Sequence, residues 1–410
     1  MDDHEALPAT TTGAPRPTDE HAGGLGRARA GLLVIAFATF AAVTTEMLPM
    51  GLLPAIATSF DASESDAGRI VSLYAAVVAI GAVPLTIATR RLPGKLLMLG
   101  AVLVYAASNL LSALAPDLAV LAVARFVGGA THALFFSVAI GYASRLVPPR
   151  LTGRALALAS SGIAAGFVFG VPLATALGNA VGWRAACGAL VGVMLVAALL
   201  VVFALPDVRT HDDAAADGLE PGRRRDLVAV VAANSLAFLA HFTLYTYVSV
   251  LLLESGVPLV LVAPVLLGFG ALGMLGIWGA GRHLDRAPRG SAVVVVGLLG
   301  VGIGGVALGF PLVAAALIAG AVWCTAYGPM PSLFQNAAVQ TRASSPEMAG
   351  ALINASSNIG IAAGAFIGGL VLDALDLRAV AWVGVALAAA AIATILVSRR
   401  AFPASPAARG

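Results

Sequence analysis

The chain has 410 residues, of which 59% are hydrophobic and only 11% are charged, whereas soluble domains carry about 25% charged residues. This composition excludes a water-soluble globule and predicts a protein embedded in a lipid bilayer. The net charge of +3 does not indicate a nucleic-acid partner, because the arginines lie between apolar runs rather than on a basic surface with interleaved aromatic residues.

The first 30 residues are acidic, rich in Pro, Gly and Thr, and contain no apolar stretch. They lack the basic start and the hydrophobic middle of a secretory signal peptide. We expect residues 1–30 to form a disordered tail on the cytoplasmic side.

Twelve stretches of the chain reach the roughly 20 mostly apolar residues that a helix needs to cross a bilayer. The predicted spans are residues 31–58, 66–89, 95–115, 118–143, 152–180, 184–205, 226–253, 258–280, 291–309, 311–338, 347–373 and 378–398. The sequence therefore predicts an all-α membrane protein with two six-helix bundles, residues 31–205 and 226–398. A polar cytoplasmic linker at 206–225 and a cytoplasmic tail at 399–410 complete the chain.

The positive charges lie mostly on one side of these spans. If the amino terminus is cytoplasmic, 20 of the 24 Lys and Arg residues fall in tails and loops of that side. Only Arg69, Arg184 and Arg378 fall on the other side. By the positive-inside rule both termini are then cytoplasmic, and we expect a multi-pass protein of the cytoplasmic (inner) membrane.

Glycine recurs every fourth residue in the fifth span, and again 198 positions later in the eleventh. These glycines are Gly162, Gly166 and Gly170, and then Gly360, Gly364 and Gly368. Such a stripe lets another helix backbone approach closely, and it fits ordinary helix packing as well as a functional hinge. The repetition indicates a duplicated, pseudo-symmetric unit, which is typical of membrane carriers with a site between two repeats.

A carboxylate lies in the middle of the first span, in the stretch TEMLPMG at residues 45–51. A charged side chain at the centre of a spanning helix costs about 2.5 to 3.5 kcal/mol, so Glu46 is expected to face a cavity or a partner. Pro49 has no backbone N–H and leaves the carbonyl of Thr45 free, and Pro54 does the same for Met50. We interpret Glu46 as a group that takes up a proton in one access state and releases it in the other. The alternative is a structural carboxylate permanently paired with an arginine.

Two further ionisable residues lie seven positions apart on one face of the fourth span. At a rise of about 1.5 Å per residue, the depths of Arg125 and His132 bracket the depth of Glu46. We expect a proton-coupling cluster of Glu46, Arg125 and His132 in the first bundle, with purely structural pairing as the alternative. Histidine titrates near neutrality, which suits a proton relay.

The second bundle has its most polar mid-membrane segment in the seventh span, at His241 and Tyr245. We predict that these residues contact substrate, together with Glu46 and with the amides Gln335 and Asn358. The alternative for all of them is hydrogen-bonded helix packing, which is the commoner role of buried amides.

At these residues the sequence resembles the major facilitator superfamily, and within it the twelve-helix drug:proton antiporter branch and its arabinose-efflux-like and chloramphenicol-type exporters. The resemblance covers most of the chain from Gly31 to Arg399. The segments that carry it are TEMLPMGLLPAIA at 45–57, RFVGGATHALFFSVA at 125–139, SSGIAAGFVFGVPL at 160–173 and NIGIAAGAFIGG at 358–369.

The resemblance implies proton coupling by Glu46 and Arg125. It also implies that the glycines and proline of the fifth-span motif bend that helix and seal the interface between the bundles. Those residues are Gly162, Gly166, Gly170 and Pro172.

The family's gating loop departs from its usual pattern here. That loop reads Gly-x-x-x-Asp-Arg-x-Gly-Arg, whereas the chain has ATRRLPGK at 88–95, with no aspartate, and GRHLDR at 281–286. The gating residues implied by the resemblance are Arg90, Arg91, Asp285 and Arg286. The alternative for the first loop is a basic segment that only sets orientation.

The sequence thus predicts a proton-coupled secondary active exporter of a small amphipathic compound, such as an antibiotic, working by alternating access. Export or facilitated movement of a sugar or other small metabolite is the alternative. An enzyme is not expected, because no metal-ligand or hydrolase motif is present. We expect no cofactor and no metal, protons and a small molecule as partners, and a monomer in the bilayer.

Overall fold

The computed structural model describes residues 20–89, 91–147, 151–207, 223–280, 287–344 and 346–404. Within these ranges the chain is helical and has no strand. Twelve helices of the described part are long and apolar enough to cross a membrane. The predicted all-α architecture and the predicted number of spans are confirmed.

The helices, in chain order, are α1 (Glu20–Ser59), α2 (Glu64–Thr89), α3 (Gly94–Leu114), α4 (Leu118–Arg145), α5 (Thr152–Ala165), α6 (Val171–Val181), α7 (Trp183–Ala204), α8 (Arg224–Tyr245), α9 (Val248–Glu254), α10 (Leu259–Ala280), α11 (Pro288–Gly309), α12 (Val313–Tyr327), α13 (Met330–Gln340), α14 (Pro346–Ala374) and α15 (Leu377–Val397). A π-helical segment, Gly166–Gly170, joins α5 to α6. Successive helices share one predicted span in three cases, namely α5 with α6, α8 with α9, and α12 with α13.

The two faces of the molecule are named here by its connections. The distal side carries the connections at residues 60–63, 115–117, 182, 255–258, 310–312 and 375–376. The terminal side is the opposite one, where α1 begins and α15 ends. The sequence prediction assigns the terminal side to the cytoplasm.

The first helix begins at Glu20, inside the segment predicted as a disordered tail. The prediction of disorder is therefore wrong for residues 20–30, while residues 1–19 lie outside the described residues. Packing of the helix begins before the predicted span, because Ala28 is buried. Part of the predicted linker, residues 208–222, also lies outside the described residues.

Helices α1–α7 pack together as one bundle and α8–α15 as a second. The bundles meet where α2 packs on α14, and where α6 and the π-helical segment pack on α10. Beyond α15, the first residues of the predicted tail fold back on the second bundle. Arg289 donates hydrogen bonds to the carbonyls of Arg399 and Phe402, and the Phe402 ring is buried.

The fifth-span glycines face α1 within the first bundle, and not the interface between the bundles. A Cβ built on Gly162 would lie 2.0 Å from the carbonyl oxygen of Ala36, and one on Gly166 would lie 2.9 Å from Val43. The interface is instead formed by the residues between the glycines, since a Cβ on Gly270 of α10 would lie 2.8 Å from Cα of Val168. The glycines themselves therefore do not line the interface between the bundles, and their role in bending the helix stays a prediction.

The second half repeats this packing. A Cβ on Gly360 of α14 would lie 2.8 Å from the carbonyl oxygen of Ser235 on α8. In both halves a glycine stripe thus lets the fifth helix of the repeat touch the backbone of the first, which agrees with the duplication predicted from the sequence.

Pro172 lies in the first turn of α6, immediately after the π-helical segment. Proline has no N–H, so the carbonyl of Val168 loses its regular helical donor. A wider π turn is a common way for a helix to absorb such a defect. The fifth span therefore departs from a regular α-helix within the motif that the sequence analysis identified.

Gly162→Ala is expected to destabilise the protein by about 1 to 3 kcal/mol, because its methyl group would overlap backbone that has no room to move. The measurement is the thermal unfolding midpoint of purified protein in detergent. Gly188→Ala on α7 is the matched control, since a Cβ at that position has no neighbour within 4 Å. Equal unfolding midpoints for the two variants would contradict the packing described here.

Candidate functional site

The carboxylate of Glu46 lies near the middle of the membrane span of α1, Ala28–Ser59, and the residue is 7% exposed. Its Oε2 lies 3.8 Å from Nε2 of His132 on α4. This distance is longer than a hydrogen bond, and a shift of about 1 Å would bring the two atoms into hydrogen-bonding range. The ring of His132 stacks on Phe136 with centroids 4.3 Å apart.

Arg125 binds the backbone of α1 beside the carboxylate. Its two terminal nitrogens donate hydrogen bonds of 2.8 Å each to the carbonyl oxygens of Thr45 and Glu46. The Thr45 carbonyl is the one that Pro49 deprives of its helical donor. The structure thus brings Glu46, Arg125 and His132 together, and the hydrogen bonds described for the guanidinium go to carbonyls rather than to the carboxylate.

Tyr74 on α2 is a member of this cluster that the sequence analysis missed. Its hydroxyl lies 3.0 Å from Nδ1 of His132 and 3.5 Å from the hydroxyl of Tyr105 on α3. Its ring lies under the guanidinium, with Cζ of Arg125 4.1 Å from the ring centroid. One buried side chain therefore contacts both partners that were predicted for Glu46.

A small closed cavity of about 20 Å³ adjoins Arg125. Its polar lining consists of Thr45, Asn109, Ser112 and Arg125, and apolar residues of four helices form the remainder. Nε of Arg125 is buried and has no hydrogen-bond partner among the described residues. The cavity is large enough for one water molecule and polar enough to bind it.

His241 lies in an aromatic cluster of the second bundle, where it is 1% exposed. Its Nδ1 accepts a 2.9 Å hydrogen bond from Nε1 of Trp323, and its ring stacks between Tyr245 and Tyr327. Nε2 is buried and has no partner within the described part of the chain. Tyr327 is only half-buried, and it contacts Phe167 of the first bundle at a centroid distance of 5.9 Å.

The contacts described for the two predicted amides are with residues outside that aromatic cluster. Asn358 on α14 is buried and donates a 3.0 Å hydrogen bond to the carbonyl of Asn354, while its Oδ1 has no partner among the described residues. Gln335 on α13 is half-buried, and its amide lies against Gly350 of α14. None of the contacts described for Gln335 is with His241 or Tyr245.

A family model described as the Major Facilitator Superfamily matches residues 35–350. The chain belongs to the major facilitator superfamily. It is 34% identical over 362 residues to a chloramphenicol efflux pump of Mycobacterium tuberculosis strain H37Rv, with 83% of this chain and 86% of the relative covered. A probable sugar efflux transporter of Mannheimia succiniciproducens is 31% identical over 367 residues, covering 88% of this chain and 91% of that protein.

Solved structures agree with this assignment at the level of the fold. A bacterial homolog of the human lysosomal transporter Spinster, in an inward-facing and unoccupied conformation, aligns with a TM-score of 0.70 at 15% identity. The alignment covers 92% of this chain and 97% of that one. The chain is thus a multi-pass membrane transporter of the superfamily and not an enzyme.

In this superfamily member the bundles are joined on the distal side of Glu46. Two hydrogen bonds and one ion pair connect the bundles on that side. They are Ser249 to the carbonyl of Met50 at 2.7 Å, Arg69 to Asp373 at 3.5 Å, and Asn179 to the carbonyl of Leu259 at 3.4 Å. The Met50 carbonyl is the second one freed by a proline, namely Pro54.

Close backbone packing reinforces the same junction. A Cβ built on Gly68 of α2 would lie 2.2 Å from the Tyr247 hydroxyl, and one on Gly369 would lie 2.6 Å from it. Tyr247 itself donates a hydrogen bond of 2.9 Å to the carbonyl of Ala365. The distal end of the bundle interface is therefore closed.

Three of the four predicted gating residues, Arg90, Asp285 and Arg286, lie outside the described residues. Arg91 is described, and it is exposed in the turn between α2 and α3. The role of these residues stays a prediction.

Proposed function

We propose that this chain is a proton-coupled exporter of a small amphipathic compound such as an antibiotic, working by alternating access. The observation that carries the proposal is the carboxylate of Glu46, buried at mid-span beside His132 at 3.8 Å. A carboxylate in this position is expensive to maintain unless it serves a pathway. One such acid corresponds to about one proton per cycle.

The aromatic cluster contacts the first bundle across the bundle interface. Tyr327 stacks on His241 with centroids 3.7 Å apart and contacts Phe167 of the first bundle at a centroid distance of 5.9 Å. A substrate between the bundles would meet aromatic faces from one side and a single carboxylate from the other. Such a lining favours an apolar or aromatic compound with few polar groups, in keeping with the name of the chloramphenicol efflux relative.

Alternating access requires the distal junction to open. Because the distal junction is closed in the present state, we assign this state to access from the terminal side, which we take to be the cytoplasm of a cell whose inner membrane holds the protein. Glu46 would release its proton and substrate would bind in this state. Separation of Ser249 from Met50 and of Arg69 from Asp373 would then expose Glu46 to protons from outside. The chain supplies every group of this cycle itself, so a monomer suffices.

The test is transport by the purified full-length chain in sealed vesicles, with chloramphenicol as the probe and a pH-sensitive dye inside. We expect chloramphenicol to move against its gradient when a pH gradient is imposed, and its addition to accelerate collapse of that gradient. Chloramphenicol movement that ignores the pH gradient would overturn proton coupling.

Export of a sugar or other metabolite is the second candidate, favoured by the relative named as a probable sugar efflux transporter. Arabinose in the same vesicles distinguishes the two. Proton-driven movement of arabinose without movement of chloramphenicol would replace the antibiotic with a sugar as the substrate class and leave the coupling proposal intact.

A further inference from the structure

Tyr74 joins the two partners of Glu46, Arg125 and His132, through different parts of one side chain. Its hydroxyl contacts Nδ1 of His132 at 3.0 Å, and its ring lies 4.1 Å from Cζ of Arg125. The residue is 1% exposed, so water does not compete for either contact. Because the hydroxyl and the ring act separately, they can be tested separately.

Two adjacent glycines of α4 leave room for the Tyr74 side chain. Gly128 and Gly129 lie between Arg125 and His132, and a Cβ on Gly128 would lie 3.0 Å from Cε2 of Tyr74. A Cβ on Gly129 would lie 2.6 Å from the carbonyl oxygen of Tyr74. The glycine pair therefore lets α2 approach α4 closely enough for Tyr74 to occupy the space between the arginine and the histidine.

We infer that Tyr74 is a positioning residue for the proton step at Glu46, an inference that rests on the proposed function. A neutral imidazole carries one N–H, and the hydrogen bond at one ring nitrogen decides which nitrogen has it. When the Tyr74 hydroxyl donates to Nδ1, the proton of His132 is on Nε2, which faces Oε2 of Glu46. The histidine then offers a donor to the ionised carboxylate and stabilises the form of Glu46 that has released its proton.

Other charged or titratable groups act electrostatically on this pair, namely Arg125 of α4, Tyr105 of α3 and Tyr327 of α12, and Cys187 of α7 acts on Arg125. Within the described residues, Tyr74 is the one whose hydroxyl reaches Nδ1 of His132.

The variant that isolates the hydroxyl is Tyr74→Phe, because it keeps the ring beneath Arg125. Loss of the Tyr74 hydroxyl removes the preference of the His132 proton for Nε2. The histidine then stabilises the ionised carboxylate less, so Glu46 holds its proton more tightly. We expect the pH at which Glu46 is half-protonated to rise by about one unit, the size of one hydrogen bond to a charged group. Incorporation of 3-fluorotyrosine at position 74, a stronger donor of nearly the same size, is expected to move it the opposite way.

The readout is infrared absorption by the protonated carboxyl group of purified full-length protein in lipid, titrated with pH. This measurement needs no transported compound, and Glu46→Gln identifies the band by removing it. Tyr142→Phe is the matched control, because Tyr142 on α4, the helix of His132, is buried and donates its hydroxyl to the carbonyl of Pro206. It should leave the titration unchanged.

The outcomes separate this inference from the proposed function. A Glu46 band that titrates with the same midpoint in wild type, Tyr74→Phe and the fluorotyrosine protein overturns the role of Tyr74 and leaves Glu46 as the proton carrier. A carboxyl group at position 46 that does not titrate overturns the proposed function, and the positioning role with it. Should Tyr74→Phe unfold, the fluorotyrosine protein alone decides, since a midpoint equal to that of wild type refutes the inference.

Discussion

Glu46→Gln is expected to reduce chloramphenicol movement driven by a pH gradient to the level of empty vesicles. The amide keeps the size and the hydrogen-bonding capacity of the side chain but cannot carry a proton between the two access states. Exchange of labelled for unlabelled chloramphenicol at equal pH should continue, because that exchange needs the bundles to rock and not a proton to move. The difference between the two assays is therefore the expected signature of the proton carrier.

The same substitution should not harm the fold. A charged side chain at mid-span costs about 2.5 to 3.5 kcal/mol, so replacing it with a neutral amide is expected to leave the thermal unfolding midpoint unchanged or raise it. A loss of pH-driven transport in Glu46→Gln then reflects function and not misfolding.

Glu254→Gln is the matched control for this experiment. Glu254 is exposed at the distal end of α9, where partial burial and then the carboxylates of Glu64 and Asp376 raise its pKa. Glu254 is therefore a carboxyl group with a raised pKa that lies away from the proposed site. Its replacement by a neutral amide should leave pH-driven transport intact. Wild-type rates of pH-driven transport in Glu46→Gln would instead assign Glu46 the structural role that the sequence left open.

The membrane spans and the carbonyls left without helical donors by prolines could be predicted from the sequence, because both depend only on residues close together along the chain. The number of spans follows from their length and apolar content alone. Pro49 and Pro54 identify two carbonyls without helical donors, and the structure supplies a donor to each, from Arg125 and Ser249. Which donor would reach which carbonyl was not predictable, because both donors come from other helices.

The arrangement of helices in the membrane plane was the information missing from the sequence. Depth alone grouped Glu46 with Arg125 and His132, and the structure brings those three side chains together. Depth could not identify Tyr74, although the adjacent pair of glycines in α4 was a usable sign that another helix approaches there. It also could not show that the fifth-span glycines face α1 while Val168 meets the second bundle.

The aromatic cluster illustrates the same limit. Polarity at mid-span predicts His241 and Tyr245 as site residues, and the structure adds Trp323 and Tyr327 from α12, which is distant in sequence. The same criterion predicts Gln335, yet its described contact is with Gly350. Residue type and depth predict that a side chain is inside the protein, but not which neighbour it meets.

Arg125→Met is expected to abolish pH-driven transport and to destabilise the protein, and Pro49→Ala should relieve only the destabilisation. Without the guanidinium, the Thr45 carbonyl is buried with no donor, at a cost of about 1 to 3 kcal/mol. Pro49→Ala restores an N–H four residues after Thr45, so the helix can satisfy that carbonyl itself. The two substitutions are therefore expected to couple by about 1 kcal/mol or more in a double-mutant cycle of unfolding midpoints.

Pro54→Ala provides the matched control for this cycle. It restores a donor for the Met50 carbonyl, which binds Ser249 and not Arg125, so its effect on stability should add to that of Arg125→Met without coupling. Transport should stay absent in the Arg125→Met and Pro49→Ala double variant, because the restored backbone bond replaces one contact of the guanidinium and not its charge. Strict additivity of Pro49→Ala and Arg125→Met would mean that the proline and the arginine do not act on the same carbonyl, and the arginine would then need another reason to lie against α1.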